Sequence, residues 1–405
     1  MLDLKRDIPE RKNGYSTPLD PSARYAAFRA SRFFASLDGL RGLSIIGVIW
    51  FHSWWGTPYY PVLHSLPVLR QGEYGVHIFY VLSGFLITTL LLRERERFGA
   101  ISLRDFYMRR VLRIWPLYYA VVIVYIFVVW KFEKDPSRVR NFFHYVPSFL
   151  TFTYTWFLSP KWPGGIFNLS STLATEEQFY AFWPLILKAG RGVWPAVVMC
   201  ICLCLPVAAI HGYFAAWIPW DSFLNRVLIN ISIPIGVGAL LAYLLHYRKT
   251  FCAVHWILGW KWTSAVSACL LALCLAPMRP NFWLAWSATF VLVGASVVRE
   301  DHGLAWALRF RPLAYIGVVS YGMYLLNSLS VHFVMAALSR VHVEHPAIIF
   351  PLGLGLTVAI ASISYRFYEK PFLTLKNKKF ARKTREREMA QPLLPTVDTQ
   401  PGGHT

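Results

Sequence analysis

The sequence predicts an all-α integral membrane protein of about ten transmembrane helices with both termini cytosolic. Three observations carry that expectation. The chain is 56% hydrophobic and only 15% charged, whereas a soluble domain carries about 25% charged residues. Its 17 Trp, 21 Tyr and 29 Phe suit the aromatic belts that sit at both faces of a bilayer. Its apolar residues also gather in runs near the ~20 residues needed to cross the hydrocarbon core.

The elements follow in order. Residues 1–37 are polar, basic and Pro-containing. They lack the basic, apolar and small-residue succession of a signal peptide and predict a cytosolic, partly unstructured lead. Spans are expected over 40–57, 74–92, 112–130, 175–190, 194–212, 224–246, 254–275, 282–298, 313–337 and 346–367. Residues 143–158 are also apolar, but His144, Pro147 and several Thr make them an interfacial or re-entrant piece. The membrane unit is expected over 38–371. A basic, partly disordered cytosolic tail follows over 372–405, with Lys376, Lys378, Lys379, Arg382 and Lys383 placed to meet anionic lipid.

Positive charge sets the orientation. Arg93, Arg95, Arg97, Arg104, Arg109, Arg110 and Arg113 crowd the loop after the second span, and Arg248, Lys249, Arg299, Arg309 and Arg311 follow the sixth and eighth. Intervening loops carry little more than Arg70, Arg279 and Arg340; 131–142, with Lys131, Lys134, Arg138 and Arg140, is the exception. The net charge of +20 therefore belongs to cytosolic loops, and nucleic acid is not expected as a partner. The six Cys include no CxxC pair and no HExxH-like spacing occurs, so neither disulfides nor a metal is expected. No inverted repeat of the transporter kind is visible.

Five stretches carry polar chemistry within or beside the spans. Arg41 and His52 share the first span, and intramembrane ionisable groups are functional candidates. Eleven residues of helix separate them by roughly 16 Å along the axis. An imidazole exchanges protons near neutral pH and a guanidinium can hold phosphate, a pairing that fits a reaction within the membrane on an anionic cofactor. Arg110 and Arg113 stand three apart and share a helix face. They can grip the phosphates of a nucleotide-bearing cofactor, although by charge alone positive-inside anchoring is the better explanation. Glu176 and Glu177 open the fourth span after Ser170, Ser171 and Thr172. Successive helical residues point about 100° apart, so one carboxylate faces a site and the other does not. That carboxylate can orient an imidazole or bind an acceptor hydroxyl, and both glutamates also suit a helix N-terminus. Ser83-Gly84 in the second span are small enough to let helices approach; His77 nearby is a weaker catalytic candidate. The fifth comprises 320–327, ending at Asn327, and 364–371, where Pro371 is expected to stop the last helix.

Taken together and in this order, these stretches resemble the acyltransferase 3 family of integral-membrane O-acyltransferases. The likeness runs from about Leu37 to Pro371. Its elements are the spacing of Arg41 and His52, the GVxxFxxLSGFL run at 75–86, Arg110 and Arg113 with RIxPLYY, the LAxEEQFYxxWP run at 173–184, the SYxxYL run at 320–325 and the SYRFxEKP run at 364–371. The resemblance implies an enzyme that passes an acyl group, acetyl above all, from acyl-CoA to a hydroxyl of a cell-surface or secreted glycan or glycolipid. It implies His52 as the catalytic histidine with Arg41 its paired arginine, Arg110 and Arg113 as donor-handling residues, and Glu176 as the family's carboxylate, orienting His52 or the acceptor. Two departures stand out. Ser171-Thr172-Leu173 replaces the usual Trp-Ser-Leu, and Asn327 stands where the family often has His. The implied setting is the inner or plasma membrane, with a glycan or lipid-linked sugar as acceptor and other cell-envelope biosynthesis proteins as potential partners. The chain closes after a short tail, so no fused soluble hydrolase-like domain is expected. The rival class is a transporter or flippase of a glycolipid or acylated small molecule, its intramembrane charges forming a substrate or proton path. A glycosyltransferase is a weaker rival, since no Asp-rich loop is found.

Overall fold

The computed structural model describes residues 20–31, 33–158 and 165–375, and among them every regular element is a helix. In chain order these are α1 (Pro21–Ala30), α2 (Ala35–Trp54), α3 (Tyr60–Leu63), then a 3-10 turn (Leu69–Tyr74) running into α4 (Gly75–Phe98). Next come α5 (Leu103–Phe132), α6 (Pro136–Leu150), α7 (Tyr154–Phe157), α8 (Leu169–Ala189) and α9 (Trp194–Ile210). The second half holds α10 (Phe223–Ile229), α11 (Ile233–His246), α12 (Arg248–Leu258), α13 (Thr263–Leu275), α14 (Phe282–Val298), α15 (Ala305–Leu308), α16 (Arg311–Ser339) and α17 (Pro346–Ser364). Several starts are written locally. Ser102, Asp135, Ser222, Ser232 and Asn281 each accept a first-turn backbone N–H, which satisfies donors the helix itself cannot.

Four helical runs, Leu69–Phe98, Leu103–Phe132, Arg311–Ser339 and Pro346–Leu375, are long and apolar enough to cross a membrane, and up to seven do so if each of three bent pairs is one span. α9 and α14 are shorter apolar helices. The outer face of α5 exposes Ile123, Phe127 and Trp130, as a lipid-facing surface requires.

Two pairs of close-packed helices set the frame. α2 lies along α16 and α4 along α11. At these crossings a Cβ on Gly317 would overlap the Asp38 carbonyl, and one on Gly84 the Ile235 carbonyl. The backbones therefore approach as only glycine allows.

The structure departs from expectation in three places, and within the lead Pro21–Ala30 forms α1. Phe28 is buried there, the Tyr25 hydroxyl donates to the His246 carbonyl, and the Arg93 guanidinium donates to the Phe28 and Ser31 carbonyls. The sixth predicted span is broken. α10 and α11 meet at 48° across Asn230–Ser232, because Pro234 in the first turn of α11 has no N–H to continue the ladder. The seventh breaks likewise at 73°, after Gly259 ends α12. Pro371 does not stop the last helix, which runs on to Leu375. A π turn over Tyr365–Glu369 precedes it, with the Lys370 N–H on the Tyr365 carbonyl, and this shift of register accommodates a residue that lacks a donor. Residues 143–158 close α6 and form α7, with Phe149 and Tyr154 in the core around α5 and α8. The basic tail beyond 375 lies outside the described residues.

Candidate active site

α2 carries Arg41 near its start and His52 near its end, so the two mark opposite ends of one helix. At the His52 end, His52 Nδ1 lies 2.6 Å from Asn327 Oδ1 on α16. The Asn327 amide nitrogen donates to the Tyr324 carbonyl at 2.5 Å. A carbonyl accepts only, so the amide NH2 must point there and Oδ1 must face the imidazole. His52 Nδ1 then carries the proton, which leaves the Nε2 lone pair as the basic position. Nε2 has no hydrogen-bond partner among the described residues.

The polar path continues. The Tyr324 hydroxyl donates to Thr172 Oγ1 at 2.7 Å, and the Tyr80 hydroxyl donates to the Thr172 carbonyl at 3.2 Å. α16, α8 and α4 are thereby tied to α2 through one chain of hydrogen bonds. Thr172 fills a position where serine is usual in the resembled family, and it keeps the hydroxyl that Tyr324 uses.

One turn along α8, Glu176 accepts from the Ser83 hydroxyl at 3.0 Å and from the Tyr180 hydroxyl at 3.1 Å. The two glutamates diverge, as the helical step requires: Glu177 accepts from Trp115 Nε1 at 3.3 Å on α5. Its Oε1 is buried with no hydrogen-bond partner in the structure. The hydrogen bonds of Glu176 thus go to α4 and its own helix, while His52 is held by Asn327. Among the described residues Glu176 makes no hydrogen bond to His52, whose partner is Asn327.

At the other end of α2, Arg41 pairs with Asp38 at 3.3 Å and lies within electrostatic reach of Arg113, Tyr180 and Glu176. Arg113 is exposed. The Arg110 guanidinium lies over the rings of Phe106 and Tyr180, at 5.6 and 5.7 Å from their centroids, where the ring faces favour a cation. Its Nε is buried without a partner. The structure therefore gathers Arg41, Arg110, Arg113 and Glu176 at one end and leaves His52 with Asn327 at the other.

The model of the acyltransferase 3 family, its acyltransferase domain, matches residues 34–366. The chain belongs to the acyltransferase 3 family. Among its relatives is YrhL of Bacillus subtilis (strain 168), provisionally named a peptidoglycan O-acetyltransferase. It is 29% identical over 381 residues, covering 87% of this chain and 57% of the relative. The peptidoglycan O-acetyltransferase OatA of Listeria monocytogenes is 27% identical over 370 residues, covering 84% of this chain and 56% of the relative. The chain thus spans a little over half the length of these acyltransferase 3 relatives. No solved structure matches it.

Within this acyltransferase 3 chain, sequence reasoning found both ends of α2 but missed what holds His52. Tyr324 and Asn327 stand three apart on α16, one turn of a helix, and that spacing was the available signal. Tyr80 and Ser83, three apart on α4, gave the same signal within a run read as packing. Gly84 does serve packing; Ser83 serves Glu176. No group of three or more His, Cys, Asp or Glu side chains able to hold a metal occurs among the described residues.

Proposed function

We propose that this chain is an O-acyltransferase. It transfers an acyl group, acetyl by preference, from acyl-CoA to a hydroxyl of a cell-surface or secreted glycan or glycolipid, at or across the inner or plasma membrane. Family membership and the relatives' names support the reaction class. The observation that carries the chemistry is the 2.6 Å contact between His52 Nδ1 and Asn327 Oδ1. It fixes the tautomer whose Nε2 can take a proton, and without that proton transfer a sugar hydroxyl is a weak nucleophile.

In this reading the ten-span topology places both termini and the Arg41–Arg113 end toward the cytosol, where acyl-CoA is available. Arg113 and Arg110 hold its phosphates, with Arg41 behind them. The roughly 16 Å between Arg41 and His52 then suits a long, flexible pantetheine arm that brings the thioester to the imidazole. His52 Nε2 takes the proton of the acceptor hydroxyl as its oxygen attacks the thioester carbon. The resulting oxyanion collapses, the C–S bond breaks, and His52 returns the proton to the departing thiolate. An acylated imidazole that passes the group to the acceptor is the two-step version of the same chemistry. Glu176, held by Ser83 and Tyr180, offsets the positive charge of Arg41 and Arg110.

Isolated membranes carrying the protein, given radiolabelled acetyl-CoA, should pass label to glycan material. A transporter of a glycolipid or acylated small molecule would leave the label on the donor, and that result would sink the reading.

A further inference from the structure

Beside the Tyr80–Thr172 contact lies a cavity of about 340 Å³, inside the about 300–1,000 Å³ range of small-molecule sites. It is walled by α4, the first turns of α8, the end of α9, the break between α10 and α11, and the start of α14. The broken helix matters here. Irregular backbone at membrane depth is tolerated where it lines a cavity, and interrupted helices place polar groups at such sites.

The lining includes no Asp, Glu, Lys or Arg side chain, and the polar groups that remain divide cleanly into donors and acceptors. Trp286 Nε1 donates to His77 Nδ1 at 2.9 Å. Indole nitrogen only donates, so His77 Nε2 carries the ring proton and is a donor with no partner among the described residues. Both amide hydrogens of Asn230 are committed, to the Thr155 and Arg226 carbonyls at 3.2 and 2.8 Å, which leaves Oδ1 as an acceptor. Ser232 Oγ accepts the Ile235 N–H at 3.5 Å, which leaves its hydroxyl proton for a ligand. Ser171 and Thr175 donate their hydroxyl protons to the Asn168 and Ser171 carbonyls and keep lone pairs to offer. Trp286 adds an aromatic face to the wall.

We infer that this cavity seats a neutral, hydroxyl-rich sugar ring, the acceptor of the transfer proposed above, on which this inference rests. Each sugar hydroxyl both gives and receives a hydrogen bond, and the wall supplies both kinds without charge. An alkyl chain would leave those groups unpaired, and an anionic group would find no cation. The wall is linked indirectly to the imidazole: Thr172, which lines the cavity, accepts from the Tyr324 hydroxyl, the Tyr324 carbonyl accepts from Asn327, and Asn327 bonds His52. A second cavity of about 500 Å³ shares Ile210, Ile233 and Trp286 with the first, giving a longer saccharide room to continue.

Equilibrium dialysis of the purified full chain with radiolabelled chitotriose, a neutral oligosaccharide, tests the assignment without requiring turnover. Chitotriose should bind the wild type and His52→Ala alike. It should bind at least about tenfold more weakly, about 1.4 kcal/mol, to Thr175→Trp, which fills the cavity, and to Trp286→Leu, which removes the aromatic wall and frees His77. Thr175→Ser should bind as the wild type does. Absence of binding to the wild type, or undiminished binding to a folded Thr175→Trp or Trp286→Leu, overturns the inference. Binding by a wild type that transfers no acyl group would overturn the acyltransferase reading and leave a sugar site standing, so the two failures are distinguishable.

Discussion

Two histidines in this molecule are held in opposite ways. His52, at the end of α2, commits one ring nitrogen to Asn327 and leaves the other without a partner among the described residues. His302, in the loop between α14 and α15, commits both: Nε2 lies 2.9 Å from Ser36 Oγ and Nδ1 lies 2.9 Å from Ser264 Oγ. Ser36 in turn receives a bond from Arg309 Nε, and Ser264 receives one from the Leu304 N–H. His302 is 3% exposed and pins the start of α2 to α13. A histidine with both nitrogens engaged is a structural clamp; one with a single fixed nitrogen has a defined tautomer and a nitrogen left to do chemistry.

Substitutions sharpen that contrast. The largest effect is expected from His52→Ala, a loss of about 10²–10⁴ in transfer rate with insertion and expression unchanged. Asn327→Ala comes next, because the imidazole loses its fixed tautomer. About tenfold, roughly the worth of one hydrogen bond, should go from kcat, with little change in the donor KM. Full activity in that variant would remove Asn327 from the mechanism. Arg113→Ala should act on the other end of α2, raising the KM for acetyl-CoA about tenfold with kcat nearly kept; an unchanged KM at normal expression would count against phosphate binding there.

His302→Ala should cost about 1–3 kcal/mol of stability from stranded buried hydroxyls and leave kcat per folded molecule intact. Burial, with the Arg309 charge beside it, pushes the His302 imidazole down to about 4 from the ordinary 6.5. The unfolded chain therefore binds more protons between those values, and stability falls as pH drops from about 6.5 toward 4. Thermal midpoints should show this acid loss in the wild type and less of it in His302→Ala. Asp301→Asn should have the smallest effect. The Arg299 fork donates to both Asp301 oxygens at 2.8 Å and holds the carboxyl below its ordinary value. That contribution is present above the usual carboxylate range and fades as pH falls through the lowered value. The aspartate is exposed, so the change in stability should stay under about 1 kcal/mol.

Much of this was legible in the sequence. Hydropathy indicated the all-α architecture and the four long apolar helical runs, and Arg41 and His52 stood out because charge within an apolar run is rare. The divergence of Glu176 and Glu177 followed from the helical step alone. Other features depended on what one helix does to another. The break before α11 comes from Pro234 inside an otherwise continuous apolar run, and apolarity masks it. α1 reads as polar lead because its partners, Arg93 and His246, lie far away in the chain. Asn327 looked like a departure from pattern. Only when α16 lies along α2 does its oxygen meet His52, and only the Tyr324 carbonyl settles which way the amide points.

The contrast between the two histidines also supplies its own most direct test. Acyl transfer from labelled acetyl-CoA, measured per mole of folded protein, should be taken together with the thermal midpoint for His52→Ala and His302→Ala in the same membranes. The expected pattern is an inactive His52→Ala with a wild-type midpoint, and an active His302→Ala with a lowered midpoint. A His52→Ala protein that still transfers label at the wild-type rate would contradict the account.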